Sequence, residues 1–206
     1  MRIKKNILYI GRFQPFHKGH ADAIVQILES INPSDKNNIF IGIGSAETNF
    51  TESNPLTSGE RFEIIGEACS EILEKFLEKN KNKNKNKNKC MNTTNITFHI
   101  VPIRNINHYV LWPQHVQQYL PEIDILYSGS PLVLQLWNNS FAHKKTVQIQ
   151  KRVDISGTKI RNLLLHSENF STIDVHEKLE KYCLFSTTAL LKKFALQARL
   201  KNMKTY

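Results

Sequence analysis

Short apolar segments alternate with longer segments of helical spacing along most of this chain, and this alternation limits the possible folds more than any other feature. Because buried parallel strands have apolar residues at nearly every position and are joined by helical crossovers, the pattern predicts an α/β fold. The sheet is expected to be doubly wound and mostly parallel, with helices on both faces. The five predicted strands are Ile7–Ile10, Ile39–Ile43, Ile96–Ile103, Ile123–Tyr127 and Thr146–Ile149.

The helical segments have apolar residues recurring every three or four positions. They are predicted over His20–Ile31, Ser58–Leu77, Leu132–Trp137 and Thr158–Leu165, followed by C-terminal helical sequence from Leu184. We expect a main domain over residues 1–166 and a C-terminal helical extension over residues 167–206. Ligands of such sheets bind at the carboxyl ends of the strands, which directs attention to the turns that follow them.

The net charge of +10 comes from two segments. A Lys-Asn alternation over Lys79–Lys89 contributes six lysines, and Ala189–Tyr206 contributes five basic residues, with no acidic residue in either segment. Without these eleven charges, 17 basic residues face 18 acidic ones, so the body of the protein is nearly neutral. A nucleic-acid partner is therefore not favoured. We predict that residues 79–95 form a disordered surface insertion.

The three cysteines and the apolar runs point to a cytoplasmic location. Cys69, Cys90 and Cys183 are widely spaced and odd in number, which predicts neither a disulfide framework nor a paired-cysteine zinc site. No apolar run approaches the roughly 18 to 20 residues that a membrane span requires, so no membrane partner is expected.

The string GRFQPFHKGH, residues 11–20, follows the first predicted strand directly. His17 and His20 are three residues apart and would share one face at the start of a helix. Gly19 lacks a side chain, so a phosphate could approach the backbone, and the helix N-terminus supplies free N–H groups and partial positive charge. Arg12 adds a cation. The string therefore predicts a polyphosphate site, although two histidines could also be structural.

The string ISGTKIR, residues 155–161, follows the fifth predicted strand. Ser156 and Thr158 are suitable residues for the N-cap and first turn of a helix, and Arg161 lies on the same face as Thr158. By itself this is an ordinary capped helix. Together with the first string, it predicts a second group of phosphate contacts on the opposite side of one cleft.

These residues resemble a known family. HxGH after the first strand and a late [ST]-x-x-R turn are similar to the HxGH nucleotidyltransferase superfamily, whose fold is Rossmann-like. More narrowly, the chain resembles archaeal-type nicotinamide-nucleotide adenylyltransferases over roughly residues 7–165. The strings that carry the resemblance are GRFQPFHKGH at 11–20, GSA at 44–46, NPLTSGER at 54–61, LW at 111–112, YSG at 127–129 and SGT at 156–158.

The resemblance implies adenylyl transfer from ATP to nicotinamide mononucleotide (NMN), which gives NAD and pyrophosphate. It implies Mg²⁺ as cofactor, held mainly by the ATP phosphates, no metal site built from side chains, and a homo-oligomer. The implied catalytic residues are Arg12, His17, His20 and Arg161. The implied ATP-binding residues are Gly11, Arg12, Phe13, His17, Gly19, His20, Gly129, Ser130, Ser156, Gly157, Thr158 and Arg161.

The resemblance also implies an NMN pocket formed by Ser45, Ile106 and Trp112, with the indole as a platform for the cationic nicotinamide ring. Several positions depart from the family pattern. Tyr109 stands where an asparagine usually reads the carboxamide, and Asn107 could replace it. Ser130 and Asn105 stand where the family has asparagine and aspartate. These departures leave open whether NMN or nicotinate mononucleotide is the acceptor.

Two other functions remain open from the sequence. One is nucleotidyl transfer to a different phosphate acceptor, such as phosphopantetheine, although Trp112 would have no evident role with an aliphatic acceptor. The other is a non-catalytic module that binds nucleotide or RNA, suggested by the two basic segments.

Overall fold

Five strands form one parallel sheet in the computed structural model of the protein, which describes residues 4–32, 35–83, 95–167 and 173–203. The strands are β1 (Lys4–Gly11), β2 (Lys36–Ile43), β3 (Ile96–Pro102), β4 (Ile125–Ser128) and β5 (Lys145–Gln148). Their order is β3-β2-β1-β4-β5, and every neighbouring pair is parallel. The order reverses at β1, which places a ligand-binding crevice at the carboxyl ends of β1 and its neighbours. The predicted doubly wound α/β fold is confirmed.

Eight helices accompany the sheet in the described part of the chain. They are α1 (Lys18–Ser30), α2 (Ser58–Lys83), α3 (Trp112–Gln117), α4 (Pro131–Ser140), α5 (Gly157–His166), α6 (Ile173–Tyr182), α7 (Phe185–Lys193) and α8 (Leu196–Met203). The sequence did not predict α3, whereas α6 lies within the C-terminal helical extension expected over residues 167–206. The C-terminal segment forms two helices, α7 and α8, with Ala195 between them at a φ of 49°.

The two faces of the sheet pack against separate apolar clusters, because successive side chains of a strand point to opposite faces. In β1, Ile7 joins a cluster with α1 and α2, whereas Leu8 joins a smaller one with Trp137 of α4. The larger cluster continues into the C-terminal helices through Leu179, Leu191, Leu196 and Leu200. Helix α7 packs against α2, and α8 packs against α5. The expected boundary at residue 166 stays a prediction.

The predicted insertion over residues 79–95 was placed too early, because α2 continues to Lys83. Lysine is a favourable helix residue, and extending an existing helix avoids the cost of nucleation. At the other end of this range, Asn95 is buried next to the start of β3. Residues 84–94 and Cys90 lie outside the described residues. None of the described helices is both long and apolar enough to cross a membrane.

Candidate active site

The first motif crosses from the carboxyl end of β1 into α1, and its histidines cap that helix. His17 is the N-cap residue, and its Nδ1 accepts a hydrogen bond from the backbone N–H of Gly19 at 3.1 Å. In turn, Nδ1 of His20 accepts a hydrogen bond from the backbone N–H of His17 at 3.2 Å. This is a capping box in which both side chains are imidazoles. The two rings stack with their centroids 3.7 Å apart.

The capping bonds fix which nitrogen of each neutral imidazole carries the proton. Because Nδ1 of His17 and of His20 accepts a hydrogen bond, the proton of each neutral ring is on Nε2, which is then a donor. Burial lowers the pKa of His17 to about 4. Burial, and secondly the proximity of His17, lowers the pKa of His20 well below its usual range. At neutral pH the pair therefore acts as two N–H donors and not as two cations.

The two motifs are in direct contact, although they lie about 140 positions apart. Arg161 Nη1 donates to the carbonyl oxygen of Gln14 at 2.6 Å. A Cβ on Gly157 would lie 2.5 Å from the same oxygen, so any larger residue would push α5 away from the first motif. A glycine at the start of α5 is therefore a packing requirement of this joint. The contact between Gln14 and Arg161 therefore joins the two motifs near the carboxyl end of β1.

Two guanidinium groups of like charge are gathered at this joint. Arg161 also donates through Nη2 to Thr158 Oγ1 at 3.1 Å, which fixes its plane. Its pKa is lowered by partial burial and then by the charge of Arg12. Arg12 is exposed. Like charges brought close together are stabilised by an anion, so this arrangement suits a polyphosphate. We call Arg12, His17, His20 and Arg161 the phosphate site.

Other residues of the first motif support this geometry. Gly19 is needed because a Cβ there would lie 3.0 Å from the His17 ring. Its N–H is occupied by His17, so Gly19 does not offer the free backbone donor that the sequence suggested. Phe13 is buried, and its ring contacts His20 edge-on at 4.8 Å, so only its backbone could meet a nucleotide. Lys18 donates to the carbonyl of Glu180 in α6.

The remaining predicted ATP contacts lie at helix starts. Ser156 caps α5 by accepting from the backbone N–H of Lys159, as its residue type predicted. Ser130 caps α4, where its hydroxyl oxygen lies 3.5 Å from the N–H of Val133. Gly129 has no atom within 4 Å of a Cβ position, so the space beside it is open. Both ends of the predicted ATP site therefore contain helix N-termini, which favour anions.

A cavity of about 580 Å³ opens at the carboxyl ends of β1 and β2, and we call it the acceptor cavity. It contains Ser45 and Trp112 of the predicted NMN pocket together with Gly11 and Arg12 of the first motif. Ile106, the third predicted NMN residue, is not among the described residues that line it. The other lining residues are Ile10, Gly44, Ile103, Arg104, Asn105, Asn107, His108, Tyr109, Leu132, Val133 and Leu136.

Trp112 is both a packing residue and a cavity wall. Its ring meets the buried Trp137 edge-to-face at 6.5 Å and packs against the smaller apolar cluster. The remaining surface lines the acceptor cavity. Ser45 and Asn107 in the same wall have positive φ values of 49° and 50°. Such conformations are uncommon for residues other than glycine and concentrate at functional sites.

Arg61 connects the phosphate site to the acceptor cavity, and the sequence analysis did not anticipate this role. It is fully buried, and Nη1 donates to the carbonyls of Arg12 at 3.0 Å and Gly44 at 2.9 Å. Nη2 donates to the carbonyl of Ser45 at 3.2 Å. Burial lowers the pKa of Arg61 to about 10, so it stays charged at neutral pH. One guanidinium thus joins the turn after β1 to the turn after β2.

The fold and these motifs define a nucleotidyltransferase. A family model described as Cytidylyltransferase-like matches residues 8–163, and the chain belongs to this family. A solved structure of a bifunctional NMN adenylyltransferase/ADP ribose pyrophosphatase from Francisella tularensis shares the fold, with a TM-score of 0.58 and 15% identity. That match covers 98% of this chain and 54% of the other, so the chain spans about half its length.

Curated relatives indicate which family of nucleotidyltransferases the chain belongs to. The nicotinamide-nucleotide adenylyltransferase of Thermoplasma acidophilum is 35% identical over 81% of this chain and 79% of its own length. The enzyme of the same name from Methanospirillum hungatei is 32% identical over 76% of this chain and 75% of its own length. The chain is a member of the nicotinamide-nucleotide adenylyltransferase family.

Proposed function

We propose that the protein transfers the adenylyl group of ATP to NMN, with NAD and pyrophosphate as products, and so acts in NAD biosynthesis. The observation that carries this proposal is the joint between Gln14 and Arg161, which brings both phosphate-binding motifs together beside the acceptor cavity. Arg12 belongs to both regions, because it lines the cavity and lowers the pKa of Arg161. A donor triphosphate and an acceptor phosphate would meet there.

The reaction needs no general base. The attacking group is a phosphate oxygen of NMN, and because the second pKa of a phosphate ester is about 6, this oxygen is already anionic at neutral pH. It forms a bond to the α-phosphorus of ATP while the bond from that phosphorus to the bridging oxygen of the β-phosphate breaks. Pyrophosphate leaves with the electron pair. Catalysis then consists of positioning two anions and stabilising the charge that develops on phosphate oxygens.

The phosphate site supplies this stabilisation with two kinds of donor. In the proposal, Nε2–H of His17 and His20 donates to the α- and β-phosphates. The guanidinium groups of Arg12 and Arg161 neutralise the β- and γ-phosphates. The capping bonds hold both imidazoles in place before ATP binds. This preorganisation matters because donors that need not reorient stabilise the transition state more effectively.

Mg²⁺ would enter with ATP. Among the described residues, no group of three or more His, Cys, Asp or Glu side chains could hold a metal ion. In the proposal the ion is coordinated by phosphate oxygens and water, which is how Mg²⁺ usually accompanies nucleotides. When bound, it neutralises phosphate charge.

In the proposal, the acceptor cavity receives the nicotinamide end of NMN. We assign Trp112 as the platform for the cationic ring and Asn107 as a candidate partner of the carboxamide. Arg104 also lines the cavity and would favour a carboxylate in place of a carboxamide, so nicotinate mononucleotide is a second candidate acceptor. Comparing kcat/KM for the two acceptors in wild type and R104A would decide between them, because loss of Arg104 should weaken nicotinate mononucleotide selectively.

The direct test measures pyrophosphate release from ATP and Mg²⁺ with a panel of acceptor phosphates that includes NMN, nicotinate mononucleotide and phosphopantetheine, together with NAD formation when NMN is the acceptor. Turnover with NMN that falls sharply in R161A supports the proposal. Turnover with phosphopantetheine but not with a pyridine nucleotide would contradict the proposal. It would favour nucleotidyl transfer to a different phosphate acceptor.

An RNA-binding role gains no support from the C-terminal helices. Lys193 pairs with Glu63, Arg199 pairs with Glu60, and Lys201 donates to the carbonyl of Ser167. Each of these three charges has a partner within the fold, so none of them by itself indicates a nucleic-acid surface. A homo-oligomer and a cytoplasmic location stay predictions of the sequence, to be tested by size-exclusion chromatography with light scattering and by cell fractionation.

A further inference from the structure

Arg199 of α8 makes a dense set of contacts with a segment far from it in sequence. Its guanidinium forms two hydrogen bonds of 2.7 Å with the two carboxylate oxygens of Glu60. Nη1 also donates to the carbonyl of Pro55 at 2.9 Å. The group lies over the ring of Phe50, 4.9 Å from its centroid. One side chain of the C-terminal region therefore contacts residues 50, 55 and 60, and we call residues 50–60, which end in the first turn of α2, the substrate loop.

The substrate loop is attached to the phosphate site on its other side. The side-chain amide of Gln14 donates to the carbonyl of Leu56 and accepts from its N–H, both at 2.9 Å. Gln14 is also the residue whose backbone carbonyl binds Arg161. The substrate loop is thus bonded to Arg199 on one side and to Gln14 on the other. Because Gln14 also binds Arg161, a shift of the loop would displace the phosphate site.

A second cavity of about 450 Å³ lies between the substrate loop and α5. Thr51, Glu52 and Ser53 of the loop line one side, and Thr158, Arg161 and Asn162 of α5 line the other. The cavity contains the side chain that the proposed mechanism places on the β- and γ-phosphates. Its width depends on where the loop sits relative to α5.

The backbone conformation of Phe50 indicates that contacts with other segments stabilise the position of the substrate loop. Its φ is 51°, in the left-handed region that aromatic residues rarely occupy, and its side chain is 57% exposed. An exposed residue with an unfavourable backbone conformation needs external contacts to persist. The Arg199 guanidinium stacked on its ring supplies one of them.

We infer that Arg199 is a positioning residue that fixes the substrate loop opposite Arg161 and thereby sets the affinity for the polyphosphate of ATP. The inference rests on the proposed function, because it takes Arg161 as an ATP contact. Arg199 does not touch the reacting atoms. It acts through Glu60, Pro55 and Phe50, so its loss should weaken ATP binding and leave the acceptor cavity unchanged.

The experiment compares R199A with Q197A in the full chain. Gln197 belongs to the same helix and donates to the carbonyls of Leu164 and Ser167, so Q197A loosens α8 without touching the substrate loop. We expect R199A to raise the KM for ATP by about tenfold or more, with little change in the KM for NMN. R199K should lie in between, because lysine keeps the charge but loses the planar two-pronged geometry.

Hydrogen exchange and calorimetry distinguish a failure of the inference on Arg199 from a failure of the proposed function. Hydrogen exchange of residues 50–57 should rise in R199A and not in Q197A, whether or not the protein turns over NMN. Equal effects of R199A and Q197A on the KM for ATP and on exchange, or an unchanged KM for ATP in R199A, would overturn the inference. Failure of the wild type to bind ATP in calorimetry would instead overturn the proposed function.

Discussion

The phosphate site and the acceptor cavity lie side by side, but they are built in different ways. The capping histidines of the phosphate site bond to backbone atoms only two or three positions away. The acceptor cavity is assembled from the ends of β1 and β2, the segment after β3 and the first turns of α4. Its walls include Tyr109 and Leu132, which are 71% and 50% exposed. The histidine part of the phosphate site is therefore determined locally, whereas Arg161 and the walls of the acceptor cavity are brought in by long-range contacts.

This difference indicates which changes each region tolerates. A capping box of this kind resists replacement because, in the proposal, each imidazole stabilises the helix through Nδ1 and binds ligand through Nε2. Cavity walls drawn from several segments can change residue by residue, and the departures at Tyr109, Ser130 and Asn105 lie on the acceptor side or near it. Variants that affect only the phosphate site or only the acceptor cavity test whether the two regions are built independently.

The largest effect should come from variants that keep the helix caps and remove the imidazole donors. Asparagine is a good N-cap residue, and glutamine is a standard partner in a capping box, so H17N and H20Q preserve the local structure. We expect each to lower kcat/KM for NAD formation by about 10²- to 10³-fold, the usual cost of losing one transition-state donor. Melting temperatures close to that of wild type would show that the loss is chemical. Activity within a few-fold of wild type would exclude the donor role.

Replacing Arg61 should affect both regions at once. R61M removes the donors to the Arg12, Gly44 and Ser45 carbonyls, of which Ser45 keeps a hydrogen bond from the N–H of Thr48. We expect the free energy of unfolding in urea to fall by about 3 kcal/mol, with higher KM values for ATP and NMN together. K75A, which breaks an exposed ion pair with Glu71, should cost less than about 1 kcal/mol. A change in only one KM would show that Arg61 does not join the two regions.

Trp112 should affect only the acceptor cavity. Loss of a cation–π contact worth about 0.5 to 2 kcal/mol predicts that W112L raises the KM for NMN by about threefold to thirtyfold, with the KM for ATP unchanged. W112F should have a smaller effect. Y119L, which removes an exposed aromatic ring outside the cavity lining, is the control and should leave both constants unchanged.

The smallest effect should be the pH dependence above neutrality. Because His17 and His20 are neutral donors in the free enzyme, kcat/KM should not fall between about pH 6.5 and 8.5 through imidazole titration. Histidines that act as cations with ordinary pKa values would instead lose activity across this range. Below about pH 6, protonation of the NMN phosphate lowers the rate in either case.

The same histidines also make stability depend on pH. The folded-state pKa of His17 is about 4, below the value near 6.5 expected in the unfolded chain. Between these values the unfolded state binds more protons, so the free energy of unfolding should decrease as pH falls from about 6.5 to 4. H17N should show a shallower decrease in denaturant titrations at several pH values. An identical slope in both proteins would contradict the low pKa.

The locally determined parts of the molecule were predictable from sequence. The spacing of His17 and His20 predicted a shared face at a helix start, and the rings stack. Arg61 could also have been found, because it falls at helical spacing with Ile64, Ile65 and Ala68 on the buried face of α2. A charged residue in such a stripe requires buried partners.

Contacts that depend on a particular backbone atom could not be predicted from the sequence. The joint at Gly157 depends on a carbonyl oxygen of Gln14, and every residue type carries such an oxygen. The segment after β3 has no periodic pattern that would indicate which side chains face the acceptor cavity. The resemblance implies Ile106, whereas Asn105, Asn107 and His108 line the cavity. The break between α7 and α8 occurs at Ala195, whose residue type gives no sign of a positive φ.

The crossover from α2 to β3 has a practical consequence. Asn95 directly precedes β3 at its amino end, whereas the phosphate site and the acceptor cavity lie at the carboxyl ends of the strands. A fluorescent reporter or an affinity peptide inserted before Asn95 would therefore enter the chain at the opposite edge of the sheet from both regions. Immobilised or labelled forms of the enzyme made in this way should retain unobstructed access for both substrates.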